Sequence, residues 1–183
     1  MYHIISPLLK KPTLDKELSS YRPISNQSLI FKIIERVVKS RHIDHLTSNT
    51  SHQSAYCKHH STETALLYIH NHLVSAIGSQ KVSCPCLLDL SATFDITEHD
   101  ILITRLSSWF GIHGSVLSWF KSYLSSRSFH IKCITDMSSW HTSSCGVPQC
   151  SVFHPLLFIM YTTPLSTLIS SCSLNHHLYG DDT

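Results

Sequence analysis

The longest unbroken apolar run in the chain is Leu156 to Tyr161. A helix needs roughly 20 apolar residues to cross a bilayer, so this run falls far short. The N-terminus carries no signal-peptide apolar stretch either. The core must therefore be assembled from amphipathic pieces that fold on one another. At 183 residues and 42% hydrophobic content, a single globular domain is expected, intracellular and soluble. Charged residues make up only 14%, against about 25% in an ordinary domain, so the surface leans on His, Ser and Thr and solubility should be poor.

The pieces can be read in order. Residues 7–19 are irregular and Lys-rich, and Tyr21-Arg22-Pro23 should be extended, because proline disfavours helix in the residue before it. From Ser28, the residues Ile30, Ile33, Ile34, Val37 and Val38 recur at helical spacing while Lys32, Glu35, Arg36 and Lys39 take the opposite face, which predicts an amphipathic helix. Ser61 can cap a second helix, with Leu66, Ile69, Leu73 and Ile77 along one stripe. Residues 82–90 read as a buried strand that carries Asp89 to a sheet edge, although Pro85 cannot donate a ladder hydrogen bond. Helices are expected over 100–110 and 115–124, on either side of the breaker-rich Gly111-Ile112-His113-Gly114. Residues 129–134 alternate bulky and polar side chains, as a strand with one covered face does. Pro155 opens a short apolar helix that Pro164 should end or kink, and residues 174–179 form a last short strand running into Gly180-Asp181-Asp182.

Net charge is only +2 and the pI is near 8.2, below the value of about 9 expected of a dedicated nucleic-acid binder. The distribution is more telling. Residues 1–60 hold nine Lys/Arg and four Asp/Glu, a net +5; residues 61–183 hold five and eight, a net −3. A basic part suited to phosphates thus precedes a carboxylate-bearing part suited to cations. The seven Cys include no Cys-x-x-Cys pair, and the fifteen His never take the His-Glu-x-x-His spacing. Reduced thiols that ligate no metal are the expectation.

Two carboxylate sites stand out, Asp89 at the end of its apolar segment and Asp181-Asp182 after Tyr179-Gly180. If Asp89 and Asp181 meet across neighbouring strands, their repulsion is costly unless cations sit between them, and hard oxygen ligands suit magnesium. Two such ions activate an attacking hydroxyl and stabilise a leaving pyrophosphate. The plainer reading makes Asp181-Asp182 a solvated turn and Asp89 a capping aspartate. Arg22, Lys58 and Lys10-Lys11 are phosphate candidates on the first reading and solvated surface on the second.

Seven blocks, in order, resemble those of reverse transcriptases from non-LTR, LINE-type retrotransposons. They are Tyr21-Arg22-Pro23-Ile24-Ser25-Asn26, Gln53-Ser54-Ala55-Tyr56, the run from His60 to Leu67, Leu87-Leu88-Asp89-Leu90-Ser91-Ala92, Ser118-Trp119-Phe120, the run from Ser144 to Gln149, and Tyr179-Gly180-Asp181-Asp182-Thr183. The resemblance implies an α+β right-hand polymerase, its helices packed on a small antiparallel sheet. Fingers would span residues 1–80 and a partial palm 81–183, with the thumb absent after the Tyr-Gly-Asp-Asp motif. It also implies RNA-directed DNA polymerase activity, with Asp89, Asp181 and Asp182 as catalytic, magnesium-holding acids. An RNA template, a DNA primer and deoxynucleotides would be its partners, and the nucleus its place of action.

By the same resemblance Phe94 matches the gate beneath the incoming sugar, and Gln149 lies against the nucleotide. Arg22, with Lys58 as a substitute for a family arginine at Cys57, reaches the triphosphate. Cys150 replaces the family glycine after Pro148-Gln149, where a thiol should crowd the site, and His154 replaces a second family glycine. With nothing after Thr183 and no endonuclease region before the blocks, the purified chain is expected to show no primer extension. Two readings without catalysis stand beside it: a nucleic-acid-binding remnant, and a non-functional open reading frame left by a retrotransposon.

Overall fold

Two proline-bearing segments at the start of the chain form the first pairing in the fold. Strand β1 (Tyr2–Leu9) runs antiparallel to β2 (Tyr21–Asn26), with Leu8 opposite Arg22 and Ile5 opposite Ser25. Pro7 and Pro23, neither able to donate a ladder hydrogen bond, share one rung. The structure is a computed structural model; it describes residues 2–47, 54, 56, 59–88, 90, 93–125, 127–149 and 151–180.

On its other side β1 pairs in parallel with β3 (Arg127–Cys133), which also takes β4 (Asp136–Met137) and β5 (His141–Ser143) as antiparallel partners. The sheet order is β2-β1-β3-β4, with β5 beside β3. The sheet is therefore mixed, not the antiparallel one expected. Parallel strands need a long crossover, and the helices between β1 and β3 supply it.

Those helices are α1 (Leu29–Thr47), α2 (Thr62–Gly78), the single turn α3 (Thr93–Ile96), α4 (His99–Ser108) and α5 (Gly114–Leu124); α6 (His154–Ser171) follows the sheet. The cap on α2 is as the sequence implies: the Ser61 hydroxyl accepts from the Thr64 amide, and the Thr64 hydroxyl accepts from the Ser61 amide at 2.8 Å. The core lies among α4, α5 and α6, where Leu102, Leu106, Phe120, Leu124, Phe153, Leu157 and Met160 are all buried. Arg105 pins α4 to α6 by donating to the Tyr161 carbonyl and lying over the Tyr161 ring at 4.4 Å.

Residues 7–9, expected to be irregular, belong to β1, and four further expectations need correction. On α1 the face that packs is Phe31, Glu35 and Val38, while Ile30, Ile33, Ile34 and Val37 are exposed and Glu35 is fully buried. Hydrogen-bonding partners for the carboxylate, described below, outweigh the isoleucine stripe. Residues 81–88 are irregular and exposed rather than a buried strand. Pro85 has no ladder donor to offer, and the strands among the described residues pair only with one another. Of the two outcomes expected at Pro164, an end or a kink, the end is ruled out, because α6 runs through to Ser171. The proline withholds an amide donor only from Met160, four residues back, while the Thr162 and Thr163 hydroxyls bond to the Phe158 and Ile159 carbonyls. Residues 174–177 are irregular, with only a bridge at Leu178. No helix among the described residues is long and apolar enough to cross a membrane.

Candidate functional site

Of the residues singled out by sequence, Asp89, Asp181, Asp182 and Lys58 lie outside the described residues, as do Cys57, Cys150 and the Phe94 side chain. Arg22 and Gln149 are described. Arg22 is exposed on β2, whereas Gln149 sits in the segment between β5 and α6.

A seam of hydrogen bonds joins that segment to residues 95–99. The Gly146 amide donates to the Thr97 carbonyl at 2.8 Å, and Glu98 forms an antiparallel bridge with Cys145. His99 Nε2 meets the Gly146 carbonyl at 2.9 Å; a carbonyl can only accept, so Nε2 carries the proton. Gly146 has φ of +79°, a left-handed conformation that glycine adopts without steric cost. The Cys145 thiol adds a weak bond to the Asp95 carbonyl at 3.4 Å.

The seam ends on Gln149, whose Nε2 donates to Asp95 at 3.1 Å to Oδ1 and 3.4 Å to Oδ2. Because a carboxylate only accepts, the amide must turn its NH₂ end to Asp95 and its carbonyl end away from it. Gln149 is thereby held against the turn α3, next in sequence to Phe94. An open cleft of about 690 Å³ borders the seam, lined by Glu98, His99, Asp100, Lys121, Ser144 and Cys145 among others; neither Arg22 nor Gln149 lines it.

The segment leading to the Asp181-Asp182 pair is tied to the start of α2. Leu178 accepts a backbone hydrogen bond from Ser54 at 3.1 Å. The buried Ser54 hydroxyl lies 2.8 Å from His177 Nε2 and 3.1 Å from His60 Nδ1. The Tyr179 hydroxyl meets Thr62 Oγ1 at 2.7 Å, and the Tyr68 ring lies 4.7 Å from the His177 ring. Residues nearly 120 positions apart are thus brought together, and the block from His60 to Leu67 meets Tyr179.

Sequence reasoning missed the buried polar cluster behind Gln149. Glu35 Oε1 accepts from the Tyr123 hydroxyl at 2.7 Å and from Gln27 Nε2 at 3.3 Å, and Oε2 accepts from the Val152 amide at 2.7 Å. Arg127 lies over the Tyr123 ring at 4.5 Å and donates to the Tyr123 carbonyl at 2.9 Å. Burial pushes the Tyr123 hydroxyl above its ordinary range and pulls Arg127 below its own. His3, buried behind Phe31, is held down to about 4 by burial and by the nearby Arg127 charge. The signal available in sequence was the spacing Phe31, Glu35, Val38, itself a helical stripe but less conspicuous than the isoleucines.

Among the described residues no three His, Cys, Asp or Glu converge as a metal site, and the acids expected to hold magnesium lie outside that set. A family model described as reverse transcriptase (RNA-dependent DNA polymerase) matches residues 9–183. The chain belongs to the reverse transcriptase family. Its relatives are carried by transposons. It is 31% identical over 163 residues to a probable RNA-directed DNA polymerase from transposon BS of Drosophila melanogaster, covering 86% of this chain and 18% of that protein. It is 30% identical over 167 residues to the corresponding probable polymerase of the X-element from the same organism, covering 87% and 18%. The RNA-directed DNA polymerase from the mobile element jockey is 26% identical over 182 residues, covering 95% and 19%. This reverse transcriptase sequence therefore spans about a fifth of the length of the curated relatives it matches.

Proposed function

We propose that this reverse transcriptase domain contributes fingers, residues 1–80, and part of a palm, residues 81–183, to RNA-directed DNA synthesis. Its substrates are an RNA template, a DNA primer and deoxynucleoside triphosphates. The observation that carries this reading is the Gln149–Asp95 pair, which supports a nucleotide site built where α3 meets the segment before α6. Held by its NH₂ end, Gln149 offers a carbonyl oxygen to a donor on the incoming nucleotide. Phe94, beside Asp95 in sequence, excludes a 2′-hydroxyl by bulk. Arg22 and Lys58 supply positive charge for the triphosphate; Lys58 does so without arginine's planar fork.

The magnesium ligands in this proposal are Asp89, Asp181 and Asp182, whose acceptor-only oxygens suit a hard cation. When bound, magnesium supplies charge neutralisation for the transferring phosphoryl group. The links from Ser54 to His177 and Leu178, and from Thr62 to Tyr179, orient the chain leading to two of those acids.

The family glycines replaced by Cys150 and His154 have different consequences. His154 is the first residue of α6 and is not among the residues with positive φ, so a side chain there is accommodated without backbone strain. Crowding stays assigned to Cys150, as the resemblance implies. Primer extension on an RNA template checks this: the wild-type chain is expected to extend little or not at all, and Cys150→Gly to raise templated, magnesium-dependent extension that Asp181→Ala abolishes. Extension that persists in Asp181→Ala contradicts the assignment of the acids.

A further inference from the structure

We infer that Glu35 is a positioning residue, holding the Gln149 segment in place from α1 through the Val152 amide. Its functional meaning rests on Gln149 facing the nucleotide as proposed above; the tether itself rests on geometry alone.

The chain is tied on either side of Gln149. At one end Gly146 bonds to Thr97 and His99, and at the other the Val152 amide donates to Glu35 Oε2 at 2.7 Å. Gln149 lies three residues from each tie, and three residues span at most about 10 Å, so a slip at either end reaches its amide. The Val152 bond is charge-assisted and its acceptor Glu35 is fully buried, which makes it a strong tie.

Glu35 is fixed on its other side by Tyr123 and Gln27. Tyr123 in turn stacks with Phe31, at 5.7 Å, and with Trp119, at 5.2 Å, which holds its hydroxyl in place against the carboxylate. A carboxylate removed wholly from water costs several kcal/mol unless its lone pairs are bonded, and an apolar residue of similar volume often holds a core together as well or better. Cohesion between α1 and α5 does not call for a carboxylate. An acceptor for a backbone amide does, and no apolar side chain supplies one.

The test uses the full chain labelled with ¹⁵N-valine, in wild-type, Glu35→Gln and Glu35→Met forms. Glu35→Gln keeps the shape and weakens the acceptor; Glu35→Met removes the acceptor while filling the space, and stands in if the glutamine variant folds poorly. The Val152 amide proton is expected far downfield in the wild type and shifted upfield in both variants, with the Val116 amide of α5 unmoved. Magnesium-dependent dTTP affinity, measured on the same samples, is expected to fall about tenfold in Glu35→Gln. A Val152 resonance indifferent to both substitutions overturns the inference even if dTTP binds. Failure of the wild type to bind dTTP counts instead against the nucleotide reading, because the Val152 signal decides the tether independently.

Discussion

Helices α4, α5 and α6 share a buried apolar core, whereas on α1 and α2 large apolar side chains such as Ile30, Leu66 and Ile77 stand in water. Leu102, Leu106, Phe120 and Leu157 are each 1% exposed or less, against 72% for Ile30 and 71% for Ile77. In the first region apolar side chains hold the fold together. In the second, polar groups make the specific contacts: Glu35 on α1, Ser61 at the cap of α2, and Ser54 and Thr62 against residues 177–179. Apolar periodicity therefore misplaces the packed face on α1, where Ile30, Ile33, Ile34 and Val37 stand exposed.

The sharpest way to break this comparison is to truncate one apolar side chain in each region. Phe120→Ala is expected to lower stability by about 3–5 kcal/mol in urea unfolding. Ile30→Ala should cost no more than about 0.5 kcal/mol. Comparable losses at the two positions would mean that α1 buries its isoleucines after all.

The next effect concerns His3, where the polar cluster meets the sheet. Its folded value of about 4 lies below the ordinary 6.5, so the unfolded chain takes up the proton first. The resulting loss of stability is absent above about pH 6.5, grows as pH falls, and levels off below about 4. His3→Phe should remove this component. Denaturant melts of both forms across pH 4–7 check it, and parallel curves would contradict it.

A smaller effect is expected at the seam. Gly146→Ala places a Cβ at φ of +79°, which costs about 1–2 kcal/mol and should loosen Gln149. Urea unfolding reads the cost, and a neutral substitution would mean that the backbone there relaxes freely.

Much of the element order was legible in the chain, because caps and breakers act locally. Ser61 marks the start of α2, Gly111 and Gly114 separate α4 from α5, and Pro23 goes with an extended β2. What was not legible depends on partners distant in sequence. The parallel pairing of β1 with β3 and the burial of Glu35 by Tyr123 and Val152 leave no local trace. Residues 81–88 are apolar enough for a strand, yet strand formation needs a neighbour. The family was legible from the order of seven blocks, and the match over residues 9–183 bears it out. Within the site, Gln149 was named from resemblance, but its anchor Asp95 was not, since nothing local links positions 95 and 149.

The most direct test of the account is competition between dTTP and UTP for the chain bound to an adenine-template RNA with a DNA primer, in magnesium. The account predicts that dTTP binds more tightly than UTP, and that Gln149→Ala weakens both while Phe94→Ala narrows the difference. Equal binding of the two nucleotides by the wild type, or no binding of either, would contradict a deoxynucleotide site at this seam.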